Sequence, residues 1–86
     1  MDVFYTPRFL RMYRKLEPAL KEEVREKIEL FKNKDQHKQL KVHKLKGTFR
    51  NTYGFSVNYQ VRVLFEYLSD EKVAFLVVGD HDVYKT

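Results

Sequence analysis

Residues 52–78 decide the fold, and they read TYGFSVNYQVRVLFEYLSDEKVAFLVV. Apolar side chains recur at every second position as far as residue 67, which is the period of a half-buried β-strand. Residues 69–72 have the composition of a turn, and residues 73–78 are apolar throughout, which is typical of a central strand buried on both faces. The stretch therefore predicts at least three antiparallel strands, with Asn58 and Tyr59 as a candidate connection between the first two. The core-facing side chains predicted for those two strands are Tyr53, Phe55, Val57, Val61, Val63, Phe65 and Tyr67.

The residues before this stretch predict a short strand over positions 3–5 and then two helices. Thr6 suits a helix N-cap, and Pro7 and Pro18 suit first helical positions because they have no backbone N–H to leave unpaired. The apolar stripes at helical spacing are Phe9, Leu10, Tyr13 and Leu16 in the first helix and Leu20, Val24, Ile28 and Phe31 in the second. We predict an α+β fold in which the N-terminal strand and an αα-hairpin pack on one face of a small, mainly antiparallel sheet. Residues 1–86 are expected to form one domain.

The composition excludes several classes of site. The chain has no cysteine, which removes disulfides, thiolate nucleophiles and cysteine-based zinc sites. Residues 1–5 begin no long apolar run of the signal-peptide type, and no apolar run approaches about 18 residues. We expect a soluble cytoplasmic protein that has no membrane partner.

The excess positive charge is concentrated in one segment. The chain has a net charge of +5, and residues 32–50 carry seven basic side chains against Asp35 alone. This pattern predicts a phosphate-binding surface, although a solvated loop is the alternative reading. The basic residues are Lys32, Lys34, Lys38, Lys41, Lys44, Lys46 and Arg50.

Two histidines and one arginine are candidates for chemistry. Histidine is the residue whose ordinary pKa lies near physiological pH, so His43 and His81 could divide the roles of general base and general acid. His37 is left as a bystander in the basic loop. Arg62 interrupts an apolar strand, where it either pairs with Glu66 on the same face or offers a fixed cation to a ligand such as a phosphate.

Other kinds of site are disfavoured. The run from Asp80 to Asp82 offers nitrogen and oxygen donors, but successive residues of an extended segment point to opposite sides, so we predict neither a metal nor a cofactor. No nucleotide-binding loop is present, because Gly47 is not followed by Lys-Ser or Lys-Thr. We expect Tyr53, Tyr59 and Tyr67 to be core or rim residues rather than platforms for stacked bases.

Three runs together carry a family resemblance: HKLKG at 43–47, FSVNYQVRV at 55–63 and VGDHDVYK at 78–85. Their order and spacing resemble the RelE/ParE toxins of type II toxin-antitoxin systems, most of all the YafQ-like and YoeB-like ribonucleases. The resemblance implies a RelE/ParE-like fold. It also implies a toxin that cleaves messenger RNA in the decoding site of the ribosome and is inhibited by a cognate antitoxin.

The resemblance assigns roles to individual residues. It makes His43 the general base, Arg62 the ligand of the scissile phosphate, His81 the general acid and Tyr84 an aromatic that orients the substrate. Lys44 and Lys46 fit phosphate contacts in this family, and Lys41 and Arg50 extend the same basic segment. Two positions depart from the YafQ-like pattern, since Ser56 and Gln60 stand where those toxins carry a histidine and an aspartate.

The implied mechanism needs no metal: the RNA 2′-OH attacks the adjacent phosphorus and leaves a 2′,3′-cyclic phosphate. Two alternatives stay open, a ParE-type inhibitor of DNA gyrase with the same fold and a non-catalytic RNA-binding module. The joint occurrence of His43, Arg62 and His81 favours the ribonuclease, because a gyrase inhibitor has no chemical need for all three.

Overall fold

The computed structural model describes residues 1–46, 51–80 and 83. Within these residues the chain forms two α-helices and five β-strands, joined by turns and one short 3-10 helix. In chain order the elements are β1 (Asp2–Tyr5), α1 (Pro7–Arg14), α2 (Pro18–Phe31), the 3-10 helix (Lys34–Gln36), β2 (His43–Lys44), β3 (Thr52–Ser56), β4 (Arg62–Ser69) and β5 (Lys72–Gly79).

The strands form one mixed sheet in the order β1-β5-β4-β3-β2. Only β1 runs parallel to its neighbour, with Val3 opposite Val73, and the other three pairings are antiparallel. β5 therefore lies inside the sheet, as its unbroken apolar sequence predicted. β2 was not predicted, because two residues are too few to show an alternating pattern.

The first helix begins where the sequence predicts. Thr6 is extended, its hydroxyl oxygen accepts the backbone N–H of Phe9 at 3.1 Å, and Pro7 occupies the first turn. The same hydroxyl donates to the Phe75 carbonyl at 2.8 Å. One side chain thus caps α1 and fixes the helix to the central strand β5.

A cluster of aromatic rings joins the helices to one face of the sheet. Phe31 of α2 is fully buried, and its ring lies 4.8 Å from the rings of both Phe55 and Phe65 and 5.4 Å from that of Phe75. Phe9 of α1 is 5.5 Å from the Phe75 ring. The helical hairpin therefore covers this face, and the predicted α+β arrangement is confirmed.

The opposite face of the sheet, here called the open face, lies away from the aromatic cluster, and α1 reaches it through the side chain of Met12. A smaller apolar cluster lies there, formed by buried Leu64, Val77 and Val83 with partly buried Met12, Leu45 and Leu76 against it. The alternation of strand residues places the core phenylalanines on one side and Arg62 on the other, as the period-two pattern predicted. The polar residues of β3 and β4 are consequently presented on the open face.

Candidate active site on the open face of the sheet

Strand pairing brings His43 and Arg62 to the same face. His43 of β2 pairs with Gly54, which pairs with Leu64, and in the next row Ser56 pairs with Arg62. Paired residues point to the same side of a sheet, and so do residues two apart. Two strand spacings and two residues along the strand separate the Cα atoms of His43 and Arg62 by roughly 12 Å. Both side chains are long enough to contact one phosphodiester group between them.

A glycine lets apolar side chains form the floor between these two residues. A Cβ atom placed on Gly54 would lie 3.1 Å from Leu64 Cδ2 and 3.8 Å from Leu45 Cδ2, so the two leucines lie directly over its backbone. Leu64 in turn pairs with Val77 of β5. The surface between the polar residues of the open face is therefore apolar.

The protonation pattern of His43 follows from a single hydrogen bond. Its Nδ1 lies 2.8 Å from the carbonyl oxygen of Lys41. A carbonyl only accepts, so Nδ1 carries the proton, and Nε2 of the neutral ring holds a free lone pair. The side chain is exposed, and Nε2 has no hydrogen-bond partner among the described residues. His43 therefore presents a proton acceptor to solvent.

A turn that ends at Lys41 creates this hydrogen bond. The N–H of Lys41 donates to the Lys38 carbonyl at 3.1 Å and that of Val42 donates to the His37 carbonyl at 3.0 Å, and Lys41 has a φ of 60°. These are the bonds of a left-handed cap, which closes the turn before β2 begins at His43. The N–H of Ser56 donates to the Leu40 carbonyl at 3.0 Å, so the Lys41 carbonyl accepts from His43 instead.

Arg62 is held in place without being neutralised. Its Nη1 donates to the carbonyls of Asn58 at 2.7 Å, Tyr59 at 3.2 Å and Val61 at 3.3 Å. No ion pair joins Arg62 to Glu66 or to any other described residue, so of the two readings left open the partnership with Glu66 is wrong. Nε and Nη2 have no partner in the described part of the chain, and the fork is free for an anion.

The structure divides the basic segment between two sides of the sheet. Lys41 is exposed beside His43, but Lys44 pairs with Tyr53, so it projects from the face opposite His43. Lys46 is exposed just beyond β2, and Arg50 lies outside the described residues. The expected phosphate contacts therefore do not all lie on one surface.

Helix α1 supplies a second basic surface that the charge count did not reveal. Its four exposed cations are Arg8, Arg11, Arg14 and Lys15, and none forms an ion pair with a described residue. The Met12 side chain lies 3.7 Å from the position of a Cβ on Gly79, the residue paired with Arg62. α1 thus lies at the Arg62 end of the site. Its charge does not show in the count because acidic residues spread over the rest of the chain offset it.

Two of the predicted catalytic residues, His81 and Tyr84, lie outside the described residues, as does Asp82. Val83 is described, and it is buried in the cluster with Leu64 and Val77. The chain after β5 therefore contacts the open face at Val83. Asp80 is exposed at the end of β5.

His37 lies on the helix side of the sheet. Its ring stacks on Phe31 with centroids 4.5 Å apart, and its Nε2–H donates to the Phe31 carbonyl at 2.8 Å. Packing accounts for its position, in keeping with the bystander reading.

Tyrosines of the sheet divide into two groups. Tyr53 and Tyr67 contact each other edge to face at 4.9 Å, as rim residues do. Burial raises the pKa of Tyr67, and the neighbouring Tyr53 adds to the shift. Tyr59 is not a core residue, because it is 91% exposed. It lies in the loop between β3 and β4, where Asn58 and Tyr59 were predicted to connect the strands.

The described residues contain no group of three or more His, Cys, Asp or Glu side chains placed to hold a metal ion. Neither described helix is long and apolar enough to cross a membrane.

Comparison with known proteins identifies the fold. Neither a protein-family model nor a curated protein sequence matches the chain. Solved structures do match over nearly the full length. YafQ from E. coli strain BL21(DE3) superposes with a TM-score of 0.79 at 15% identity, covering 99% of this chain and 98% of YafQ.

Two toxin-antitoxin complexes give the same result. The match in the Staphylococcus aureus YoeB-YefM complex has a TM-score of 0.72 at 14% identity, covering 94% of this chain and 97% of the other. The match in the RelBE2 complex of Mycobacterium tuberculosis has a TM-score of 0.69 at 22% identity, covering 93% and 96%. The fold expected from the three sequence runs is confirmed, and the chain has the fold of the RelE/ParE-superfamily toxins.

Proposed function

We propose that the chain is the toxin of a type II toxin-antitoxin system and an endoribonuclease that cleaves messenger RNA on the ribosome. The observation that carries the proposal is the placement of His43 and Arg62 on one open face. Among the described residues, Nε2 of His43 has no hydrogen-bond partner and the Arg62 guanidinium pairs with no carboxylate. A base and a cation facing the same space are the two groups that 2′-OH attack on a phosphodiester requires.

The proposed reaction begins with proton transfer to His43. Nε2 takes the proton of the RNA 2′-OH, and the oxygen attacks the adjacent phosphorus. Arg62 donates from Nε and Nη2 to the phosphoryl oxygens as negative charge develops on them. His81 donates a proton to the departing 5′-oxygen, and Tyr84 orients the substrate. The products are a 2′,3′-cyclic phosphate and a 5′-hydroxyl, so DNA, which lacks the 2′-OH, is not cut.

Binding and inhibition complete the proposal. Lys41, Lys46 and Arg50 contact phosphates near His43, and Lys44 contacts them from the other side of the β2 edge. A cognate antitoxin inhibits the toxin, a proposal that is supported by the fold matches to toxin-antitoxin complexes. The protein acts in the cytoplasm, where messenger RNA and ribosomes are found.

Alanine variants of the proposed site test this function. We expect His43→Ala and His81→Ala each to lower cleavage of a translated messenger by about 10² to 10⁴-fold, the usual contribution of one acid or base. Primer extension on messenger recovered from a translation reaction measures the cuts, and thermal unfolding checks that the variants fold. His37→Ala is the matched control: it loses a stacking contact and lowers stability, but below its unfolding transition it cleaves at the wild-type rate.

Two results would replace the proposal. Inhibition of DNA supercoiling without messenger cleavage would identify a gyrase inhibitor of the ParE type. Ribosome or RNA binding without cleavage, unaltered by His43→Ala, would identify a non-catalytic RNA-binding module. Full cleavage by both histidine variants would leave a ribonuclease whose acid and base lie elsewhere.

A further inference from the structure

Tyr59 is the most exposed large hydrophobic residue that the structure describes. Its side chain is 91% exposed, against 58% for the next, Leu68. The other described tyrosines each contact an aromatic ring, whereas Tyr59 contacts none among the described residues. A single exposed aromatic residue is ordinary by itself. What is unusual at Tyr59 is that the loop carrying the exposed ring is held by several hydrogen bonds.

The loop of residues 57–61 is fixed from within. The Asn58 side-chain oxygen accepts the backbone N–H groups of Gln60 and Val61, both at 2.8 Å. The N–H of Val57 donates to the Val61 carbonyl at 2.9 Å, and the side chains of these two valines are buried at either end of the loop. The tip is therefore rigid, although the ring it carries is exposed and contacts no described aromatic ring.

Contacts from outside the loop hold it as well. The Asn58 amide donates to Glu23 of α2 at 2.6 Å, which fixes the loop to the helical hairpin. Arg62 donates to the carbonyls of Asn58 and Tyr59. The guanidinium proposed to bind the scissile phosphate thus rests on the peptide group of Tyr59 itself. The group proposed to hold the phosphate is therefore within hydrogen-bond distance of the backbone that carries the ring.

We propose that Tyr59 is a stacking platform for a base of the single-stranded RNA substrate, next to the phosphate at Arg62. The inference rests on the proposed function. Single-stranded RNA offers unpaired bases, and proteins bind such bases by stacking them on exposed aromatic rings beside a cationic track. Because the loop is already ordered, little conformational entropy is lost when a base stacks on the ring. The adjacent guanidinium of Arg62, which pairs with no described carboxylate, favours a nucleic acid over a protein partner.

The test measures stacking directly. The probe is a single-stranded, fully 2′-O-methylated oligoribonucleotide with 2-aminopurine at one position, which cannot be cleaved because it lacks the attacking hydroxyl. Stacking quenches 2-aminopurine, so binding and stacking are read in one titration. We expect Tyr59→Phe to bind and quench as the wild type does. Tyr59→Ala and Tyr59→Leu should bind about 5- to 150-fold more weakly, the alanine cost of one stacked base, and lose the quenching.

Cleavage kinetics and stability complete the experiment. Because Tyr59 packs on no described aromatic ring, its variants should unfold at the wild-type temperature. In the ribosome assay the Ala variant should raise KM and change kcat little, as expected for a contact made equally in the ground and transition states.

Several outcomes would overturn the inference. They are wild-type binding and quenching by the Ala variant, a Phe variant as weak as the Ala variant, and failure of the wild type to bind the oligonucleotide. A loss confined to antitoxin binding would assign Tyr59 to a protein interface instead. The two proposals fail separately: cleavage unaffected by Tyr59→Ala removes only the stacking role, and Tyr59-dependent RNA binding without cleavage removes only the ribonuclease.

Discussion

Lys41 is the residue whose substitution tests how the backbone aims His43. Its φ of 60° places it in the left-handed region, which costs an L-residue other than glycine about 1 to 2 kcal/mol. Lys41→Gly removes that strain but gains about 0.4 to 1 kcal/mol of unfolded-state freedom, so the free energy of unfolding should rise by about 0 to 1.6 kcal/mol. Lys41→Val forces a β-branched residue into a conformation it resists, with strain of about 1 to 3 kcal/mol.

The Gly and Val variants both remove the positive charge of Lys41 and differ only in their backbone preference. A difference between them is therefore not caused by the lost charge. In Lys41→Val we expect the left-handed cap at residue 41 to be lost, the Lys41 carbonyl to turn away and His43 to lose its acceptor. The Gly variant should keep Nδ1 of His43 protonated, as read from ¹⁵N NMR of the ring. The Val variant should show mixed tautomers and about 10²-fold slower cleavage, the cost of a misplacement of about 1 Å.

A change of about 1 kcal/mol moves the unfolding temperature by about 4 to 8 °C in a domain of this size, so both stability effects are measurable. Equal tautomers and equal cleavage rates in the Gly and Val variants would refute the reasoning. The left-handed cap at Lys41 would then be incidental to the site.

Two further predictions concern the core and the second basic surface. Phe31→Ala should destabilise the fold by about 3 to 5 kcal/mol in urea or thermal unfolding, because its ring is fully buried; a loss below about 1 kcal/mol would mean that the aromatic cluster is loosely packed. Arg11→Glu and Arg14→Glu should weaken RNA or ribosome binding and reduce the salt slope by about one per lost phosphate contact. The control is Lys72→Glu, at the far end of β5, which should change the binding affinity and the salt slope less. If it changes them as much as the α1 variants do, the effect reflects only the loss of net charge.

The fold could be predicted because its signals are local and consistent. Each signal predicts one kind of element. Alternating residues predict β3 and β4, Thr6 and Pro7 predict the start of α1, and an unbroken apolar run predicts β5. Each of these elements was found where the pattern placed it. β2 could not be found in this way, because His43 and Lys44 form a strand only through pairing with β3.

The site was only partly predictable for the same reason. His43 and Arg62 were found from residue type and resemblance, but that they share a face depends on strand order and register, which no short motif contains. The left-handed cap at Lys41 and the projection of Lys44 and His43 from opposite faces also depend on tertiary structure. Net charge misled in another way, since it sums acidic and basic residues that lie on different surfaces.

The two faces of the sheet separate stability from chemistry. The buried rings that hold the hairpin lie on one face, and His43, Arg62 and Ser56 lie on the other, on the same strands. The open-face residues can therefore change without opening the aromatic core. The exception is Arg62, whose hydrogen bonds also hold the 57–61 loop. Its removal should cost both order in that loop and binding of the phosphate, which makes Tyr59 and His43, rather than Arg62, the residues whose variants report function alone.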